Sequence, residues 1–313
     1  MSRRNALLIG CCLLFLAVLS NAWAGCSSNG AAGAQTAAAA FTEYEAFTVG
    51  TQTFTNTATR ADAQPAGPAA SPDTTAAPTA PAAGSTAPAS GSYALIYNGP
   101  VAASGATEAV AAIVAQAGLP VKYLSNPEDL PSLLPDAKVF IIGGTEDDLT
   151  PLIAAFTPAA TAALKDYLQN GGRYLGICGG GYMASTGWSE YGGYFTGLGL
   201  IPAESGSFLG EPAPQILPVR WLGENREMYY QDGPVFYLKP TAESVRVIAR
   251  YANGQTAAFL SSYGRGKVAV SGTHPEARQS WIYEAANGDS WTSSAPLAVD
   301  LLNEVLSGEP VNP

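Results

Sequence analysis

A cysteine in a glycine-rich segment is the residue of this sequence best suited to nucleophilic chemistry. Cys178 lies in Gly176-Ile177-Cys178-Gly179-Gly180-Gly181, after a predicted strand and before a predicted helix from Tyr182 to Thr186. This is the form of a nucleophile elbow, a sharp strand-to-helix turn that strains the central residue and leaves room only for glycine on either side. Such a turn points N–H groups and the positive end of a helix at the thiol, which favours its ionised form. The alternative is a tight glycine-rich turn with an incidental cysteine.

The only histidine in the chain is the candidate base. His274 follows a predicted turn and strand at residues 264–272 and precedes Pro275-Glu276. Proline biases the residue before it toward extended geometry, and residues two apart on an extended segment point the same way. Glu276 can therefore orient the imidazole while the other ring nitrogen faces a thiol, which predicts a Cys178, His274, Glu276 triad. The alternative is an exposed or structurally satisfied histidine.

The cysteine count narrows the role of Cys178. The chain has four cysteines, and removal of an N-terminal leader would leave only Cys26 and Cys178. A domain stabilised by disulfides would show an even set of spaced cysteines, so Cys178 is either a small buried hydrophobic residue or a reactive thiol. One histidine and one cysteine are too few for a structural zinc site. We expect no metal and no other cofactor.

The elements that must position these residues alternate along the chain. Strands predicted from apolar runs are separated by predicted helices, which indicates βαβ units and a mostly parallel sheet with ligands bound beyond the strand C-termini. Cys178 follows one of these strands directly. The predicted strands are Tyr93–Tyr97, Val121–Leu124, Val139–Ile142 and Arg173–Ile177, and the predicted helices are Ala106–Ala117 and Pro158–Gln169.

The N-terminal part of the sequence is typical of an exported protein. Arg3 and Arg4 precede an apolar run from Ala6 to Leu19 and a small-residue region, which predicts a signal peptide over residues 1–25. Cleavage after Ala24 and lipidation at Cys26 are the two alternatives. Residues 26–90 are rich in Ala, Pro and Thr and predict a disordered tether. Residues 91–313 then form one domain, located in the periplasm or cell envelope, or in the outer membrane if Cys26 carries a lipid anchor.

The charge balance excludes one class of partner. The chain has 15 basic and 25 acidic residues and a net charge of −10, so a nucleic-acid partner or a phosphate-binding surface is not expected. Glu146-Asp147-Asp148 follows Gly143-Gly144 and is interpreted as a helix N-terminus rather than a cation site. No obligate protein partner is evident.

Five segments, in this order and spacing, resemble a known family. An elbow cysteine followed about a hundred residues later by His-x-Glu is similar to the class I glutamine amidotransferase superfamily, and the segments resemble more narrowly the N-terminal domain of biotin-protein ligases. They are Tyr97-Asn98-Gly99-Pro100, Ile141-Ile142-Gly143-Gly144, Tyr174-Leu175-Gly176-Ile177-Cys178-Gly179-Gly180-Gly181-Tyr182, Tyr229-Tyr230-Gln231-Asp232-Gly233-Pro234-Val235-Phe236 and Ser271-Gly272-Thr273-His274-Pro275-Glu276.

The resemblance implies a fold and a set of roles. The fold is α/β and flavodoxin-like, a doubly wound, mostly parallel sheet with helices on both faces. Cys178 would attack an amide carbonyl, and an oxyanion hole would form from Gly144, Thr145 and Gly179. By the same analogy, the substrate would contact Asn98, Gly143, Tyr182 and Tyr230. The expected function is hydrolysis of a small-molecule, peptide or cell-envelope amide; the alternatives are a thioester or acyl hydrolase and a non-catalytic domain that binds a small ligand.

Overall fold

The structure is a computed structural model that describes residues 91–210, 212–240, 244–283, 285 and 291–312. The predicted signal peptide and tether lie outside these residues, so the boundaries at 25 and 90 remain predictions. The strands are β1 (Tyr93–Tyr97), β2 (Val121–Leu124), β3 (Ala137–Ile142), β4 (Arg173–Ile177), β5 (Gly187–Glu190), β6 (Gly193–Thr196), β7 (Ala203–Ser207), β8 (Gln215–Trp221), β9 (Glu224–Tyr230), β10 (Pro234–Leu238), β11 (Val245–Tyr251), β12 (Thr256–Tyr263) and β13 (Gly266–Ser271).

Among the residues that the structure describes, seven α-helices connect or flank these strands. None of those in the described part of the chain is long and apolar enough to cross a membrane. The helices are α1 (Ala106–Gln116), α2 (Leu130–Leu133), α3 (Thr150–Ala155), α4 (Pro158–Gln169), α5 (Gly179–Ala184), α6 (Gln279–Ile282) and α7 (Ala295–Leu306).

A five-stranded parallel sheet forms one half of the domain, in the order β2-β1-β3-β4-β13. This is the flavodoxin-like strand order, and it confirms the predicted α/β class. The register pairs Gly176 with Val270 and Ile177 with Ser271 across β4 and β13. Cys178 and His274, which follow these strands, therefore emerge at the same edge of the sheet.

Alternating side chains of the parallel strands form two hydrophobic layers. On β1 and β3, Leu95 and Phe140 belong to one layer, whereas Ile96 and Ile141 belong to the other. The first layer packs against α2 and α4, and the second packs against α1 and α7. Apolar residues on both faces explain why each strand reads as a continuous apolar run and why helices cover both sides.

The second half of the sheet is mainly antiparallel and was not predicted. β12 pairs with β13 and leads through β10 and β7 to β5 and β6, while β11, β8 and β9 form a branch from β12. The branch matters for the site because β9 reaches His274 through an isolated bridge between Tyr229 and His274. The antiparallel half therefore supplies one wall of the region beyond β4 and β13.

Two buried cations stabilise the edge of the sheet opposite to Cys178. Arg173 opens β4 and donates to the carbonyl oxygens of Gly171 and Ser307, and Lys267 on β13 donates to the carbonyl oxygen of Glu304 at 3.0 Å. Burial, and then repulsion from Arg173, lower the pKa of Lys267 to about 8. Carbonyl groups at a helix C-terminus favour cations, so these contacts attach the end of α7 to the two strands that carry the candidate site.

Candidate active site

Cys178 is the residue at which β4 turns sharply into α5. Its backbone has φ 52° and ψ −110°, a conformation that residues other than glycine rarely adopt. A Cβ built on Gly176 would lie 2.4 Å from the carbonyl oxygen of Gly180, and a Cβ on Gly180 would lie 2.0 Å from that of Ile142. The glycines on both sides of Cys178 are therefore sterically required, as the elbow interpretation predicts.

The helix after Cys178 differs from its predicted bounds of Tyr182–Thr186. It begins at Gly179, because the N–H groups of Gly181 and Tyr182 both donate to the carbonyl oxygen of Cys178, at 2.8 and 3.1 Å. It ends at Ala184, where the Ser185 hydroxyl donates to Tyr182 and accepts from the N–H of Gly187. The first turn of α5 thus starts directly at the cysteine and includes the N–H of Gly179.

His274 lies beside the elbow and is fixed by three contacts. Its N–H donates to the carbonyl oxygen of Tyr229 at 2.9 Å, and its Nδ1 lies 2.9 Å from Oε1 of Glu276. Its imidazole also interacts with Cys178, which raises the pKa of the ring. The side chains of Cys178, His274 and Glu276 are all buried, with exposed fractions of 7%, 5% and 3%. The structure therefore brings together the three residues of the predicted triad.

The protonation of His274 follows from these neighbours. Burial alone lowers the pKa of the imidazole, but the opposing effects of Glu276 and Cys178 are larger together and raise it to about 10. A histidine with an unperturbed pKa near 6.5 would be mostly neutral at pH 7.5. His274 is therefore an imidazolium near neutral pH and can stabilise an adjacent anionic sulfur.

The loop from Gly143 to Thr145 packs against both the histidine and the elbow. A Cβ built on Gly144 would lie 3.0 Å from Cε1 of His274, and one built on Gly179 would lie 2.0 Å from Oγ1 of Thr145. The predicted oxyanion residues Gly144, Thr145 and Gly179 therefore surround Cys178 at close range. The N–H of Gly179 is in the first turn of α5, where a helix provides no internal acceptor.

An open cleft of about 400 Å³ lies over the thiol. It is lined by Cys178, His274, Tyr182 and the three predicted oxyanion residues. The thiol of Cys178 also donates to the carbonyl oxygen of Gln231 at 3.6 Å, and Gln231 is itself a lining residue. Glu276 lies behind His274 and does not line the cleft, as expected for a group that orients the ring.

Three predicted substrate contacts are not among the residues that line this cleft. Asn98 is exposed, and its side-chain oxygen accepts from the Thr107 hydroxyl. Gly143 lies beneath the elbow, where its carbonyl oxygen accepts from the N–H of Gly180. Tyr230 points to the opposite face of β9 and donates to the carbonyl oxygen of Gly233 at 3.1 Å. Strand alternation instead turns Tyr229 toward the cleft.

Several lining residues were not predicted as site residues. Tyr229 and Trp281 pack edge-to-face against the imidazole and also against each other, with ring centroids 5.7 and 5.8 Å from that of His274 and 5.5 Å apart. Trp281 lies on the four-residue helix α6, which has no periodic pattern that a sequence could reveal. Glu190 at the end of β5 and Asp232 between β9 and β10 also line the cleft, and only the folded sheet brings them together.

The acidic residues after Gly143-Gly144 have two roles. Oδ1 of Asp148 accepts from the N–H of Thr150 at 2.9 Å at the start of α3, which agrees with the predicted helix N-terminus. Glu146 and Asp147 instead line the cleft. Among the described residues, no group of three or more His, Cys, Asp or Glu side chains is arranged to hold a metal ion.

Two family models match the chain within the described domain. Residues 108–207 match the CobB/CobQ-like glutamine amidotransferase domain, and residues 215–303 match the N-terminal region of biotin-protein ligase. The first match contains Cys178 and the second contains His274 and Glu276. No curated protein sequence matches the chain.

Solved structures similar to the domain include two described as glutamine amidotransferases and one of PurLQS. A crystal structure of a glutamine amidotransferase has 18% identity and a TM-score of 0.49, covering 68% of this chain and 98% of that one. PurLQS from Thermotoga maritima has 15% identity and a TM-score of 0.49, with coverages of 68% and 99%. A glutamine amidotransferase from Thermotoga maritima has 12% identity and a TM-score of 0.49, with coverages of 69% and 98%.

The two family matches bear on different halves of the same site. The first includes the elbow and the second includes the segment from Tyr229 to Glu276. Residues 108–207 are thus similar to the CobB/CobQ-like glutamine amidotransferase domain, and residues 215–303 are similar to the N-terminal region of biotin-protein ligase.

Proposed function

We propose that the domain is a cysteine-dependent amidase or hydrolase that acts on a small amide, a peptide or a cell-envelope amide through Cys178, His274 and Glu276. The observation that carries the proposal is the strained cysteine, which lines the same cleft as a buried histidine that Glu276 contacts at 2.9 Å. This is a nucleophile, a base and an orienting group in sequence. A buried carboxylate and a strained backbone both cost stability, which argues for a functional arrangement.

In the first half-reaction, the sulfur of Cys178 attacks the amide carbonyl carbon and forms a tetrahedral intermediate. The negative oxygen accepts hydrogen bonds from the N–H of Gly179 and from the loop that contains Gly144 and Thr145. The imidazolium of His274 donates its proton to the amide nitrogen as the carbon–nitrogen bond breaks. An amine or ammonia leaves, and an acyl thioester on Cys178 and a neutral His274 remain.

In the second half-reaction, His274 acts as the base. Its neutral imidazole takes a proton from a water molecule, whose oxygen attacks the thioester carbonyl carbon. The carbon–sulfur bond then breaks, the carboxylic acid leaves, and the thiolate and imidazolium are restored. Glu276 holds Nδ1 of His274 throughout, so that the other ring nitrogen faces the reacting groups.

The test is a screen of small amides and thioesters with the full-length chain. We expect release of the amine or ammonia, together with an acyl mass added to the Cys178 peptide during turnover. Cys178→Ala should lower the rate on the order of 10³-fold or more. Cys26→Ser is the matched control, because it removes a thiol that lies outside the described domain, and it should leave the rate unchanged.

The outcomes of this screen separate the proposed function from its alternatives. Turnover of thioesters but not amides would assign the domain as a thioester or acyl hydrolase. A compound that protects Cys178 from alkylation, without any acylation or turnover across the screen, would assign a small-ligand-binding domain. Equal rates for wild type and Cys178→Ala would overturn the role of the cysteine.

We also propose that the protein is exported to the periplasm or cell envelope. The proposal is supported by Arg3 and Arg4, the apolar run from Ala6 to Leu19 and the small-residue region before Cys26. Mass spectrometry of protein from its native host should find an N-terminus at Gly25 or a diacylglyceryl group on Cys26. Mature protein that retains Met1 and the whole leader would contradict export.

A further inference from the structure

The cleft beside Cys178 is lined by four carboxylates. Glu146 and Asp147 lie on the loop after Thr145, Glu190 ends β5, and Asp232 follows β9. None of the described residues that line the cleft is Lys or Arg. Glu276 pairs with His274 behind the cleft, so four acidic side chains stand against the one histidine among the lining residues.

These carboxylates act on one another across the opening. Burial raises the pKa of Glu190, and repulsion from Asp232 and Asp147 adds to the increase. The pKa of Tyr191 is raised chiefly by the negative charge of Glu190, with further contributions from burial and from Asp147 and Asp232. A cleft lined by one sign of charge concentrates its field and attracts ligands of opposite sign.

The cleft continues into a second compartment that combines carboxylates with aromatic rings. This compartment has a volume of about 380 Å³, shares Asp147 and Glu190 with the first, and is lined by Trp188, Tyr191 and Phe195. The indole Nε1 of Trp188 donates to Oε2 of Glu190 at 3.1 Å, which fixes the carboxylate at the junction. Aromatic faces beside carboxylates suit organic cations.

The negative charge is spread along the cleft rather than gathered at one point. In the part of the chain that the structure describes, no three of these side chains are placed to chelate a metal ion. Asp147 and Glu190 line both compartments, whereas Cys178 lines only the first. A ligand can therefore place a charged group at the junction and an uncharged amide at the thiol.

We propose that this site selects substrates that carry an ammonium or guanidinium group, held between Asp147 and Glu190, with the scissile carbonyl at Cys178. The proposal rests on the proposed hydrolase function, since it assigns the substrate class of the same site. A substrate with a carboxylate at that position is repelled by the four acidic side chains. A neutral amide binds without the electrostatic attraction that a cation has to these carboxylates.

The experiment compares three methanethiosulfonate reagents that differ in charge: a trimethylammonium-ethyl, a sulfonatoethyl and a methyl reagent. Each transfers its thioalkyl group to the thiolate, forming a disulfide while methanesulfinate leaves with the electron pair. The rate at Cys178 is measured by mass mapping in the full-length chain. Each rate is divided by that of the same cysteine in the urea-unfolded chain, which removes the intrinsic differences between reagents.

At low ionic strength we expect the cationic reagent to react on the order of 10-fold faster than the anionic one after this correction. The ratio should fall in 0.5 M salt, because salt screens exposed charges. The double variant Asp147→Asn with Glu190→Gln should reduce the ratio to about 2-fold or less. Asp166→Asn with Glu224→Gln makes the same change in net charge outside the cleft and should preserve the ratio.

Two results would overturn the proposal. A normalised ratio near one in the wild type would show that the cleft does not discriminate by charge. An equal loss of discrimination in both double variants would show that the net charge of the protein, rather than Asp147 and Glu190, is responsible. These results do not depend on turnover, so a charge-selective Cys178 without amide hydrolysis would contradict only the hydrolase function.

Discussion

Replacement of His274 by Ala should slow the alkylation of Cys178 at pH 6 by about two orders of magnitude. The pKa of His274 is raised to about 10, so the imidazolium is present throughout the range from pH 6 to 9. A positive charge beside a sulfur favours the nucleophilic thiolate over the thiol. An ordinary thiol with a pKa of about 8.5 is only about 0.3% ionised at pH 6, and the variant should behave like such a thiol.

The pH profile is more informative than the rate at one pH. With iodoacetamide, a neutral electrophile, the wild-type rate should change little between pH 6 and 8, whereas the His274→Ala rate should rise steeply over this range. Near pH 9 the two rates should approach each other, because a free thiol is then largely ionised. The Cys178 peptide is quantified by mass spectrometry, so that the other cysteines of the chain do not contribute.

Glu276→Gln should give an intermediate profile. The neutral side chain removes the largest effect that raises the pKa of His274, while burial continues to lower it and Cys178 continues to raise it. The ring remains in place, but its charge is less favoured. The reference is Cys178 in the urea-unfolded wild type. Overlay of the wild type and both variants on this reference would show that Cys178 is not paired with His274 in the resting protein.

The parallel half of the fold could be predicted because its strands are buried on both faces. The predicted bounds of β1, β4 and α4 are those that the structure has, and β2 also lies at its predicted bounds, although it is partly exposed. In α4, the Thr157 side chain accepts from the N–H of Ala160 at 3.3 Å, which is a typical helix N-cap. The local sequence is therefore sufficient to predict these elements.

The antiparallel half depends on pairings between distant residues and could not be predicted in the same way. β9 carries exposed polar residues over its first four positions and buried ones only from Met228 onward, so it lacks a regular alternation. Its position is fixed by pairing with β8 and by the bridge from Tyr229 to His274. The cleft is lined by Tyr229 rather than by the predicted Tyr230 because the register of β9 could not be read from the sequence. A shift of one residue moves a side chain to the other face of a strand.

The residues of the candidate site also differ in how far the sequence alone predicts them. Cys178, His274 and Glu276 lie in short motifs whose backbone geometry restricts where the side chains can point. The acidic residues that line the cleft do not lie in such motifs. Glu146, Glu190 and Asp232 are far apart in the sequence, and only the folded sheet brings them together. Nucleophile and base were therefore predictable from the sequence, whereas the charge that determines the proposed substrate class required the structure.

The elbow should also be the position where the smallest added side chain has a large effect. Gly180 and Gly181, which follow Cys178 closely, leave different amounts of space for an added side chain. A Cβ on Gly180 would lie 2.0 Å from the backbone oxygen of Ile142, whereas one on Gly181 would lie 3.0 Å from the ring of Phe236. The contact of Gly180 is with the backbone of a central strand, which cannot rotate away, whereas the ring of Phe236 can shift slightly.

Gly180→Ala should therefore lower the stability of the domain by about 3 kcal/mol or more, which corresponds to a decrease in Tm of roughly 6–12 °C for a domain of this size. Gly181→Ala should cost less, and Gly193→Ala, whose Cβ would lie 3.7 Å from its nearest neighbour, should change stability by less than about 0.5 kcal/mol. Thermal unfolding of the three variants tests this order.

Because relief of the clash would move Ile142 or the Cys178 turn, Gly180→Ala should also lose the rapid alkylation of Cys178 at pH 6, even where the variant still folds. A Gly180→Ala protein with wild-type Tm and wild-type alkylation would show that the elbow does not approach β3 as closely as the structure has it, and the steric basis for the strained cysteine would be lost.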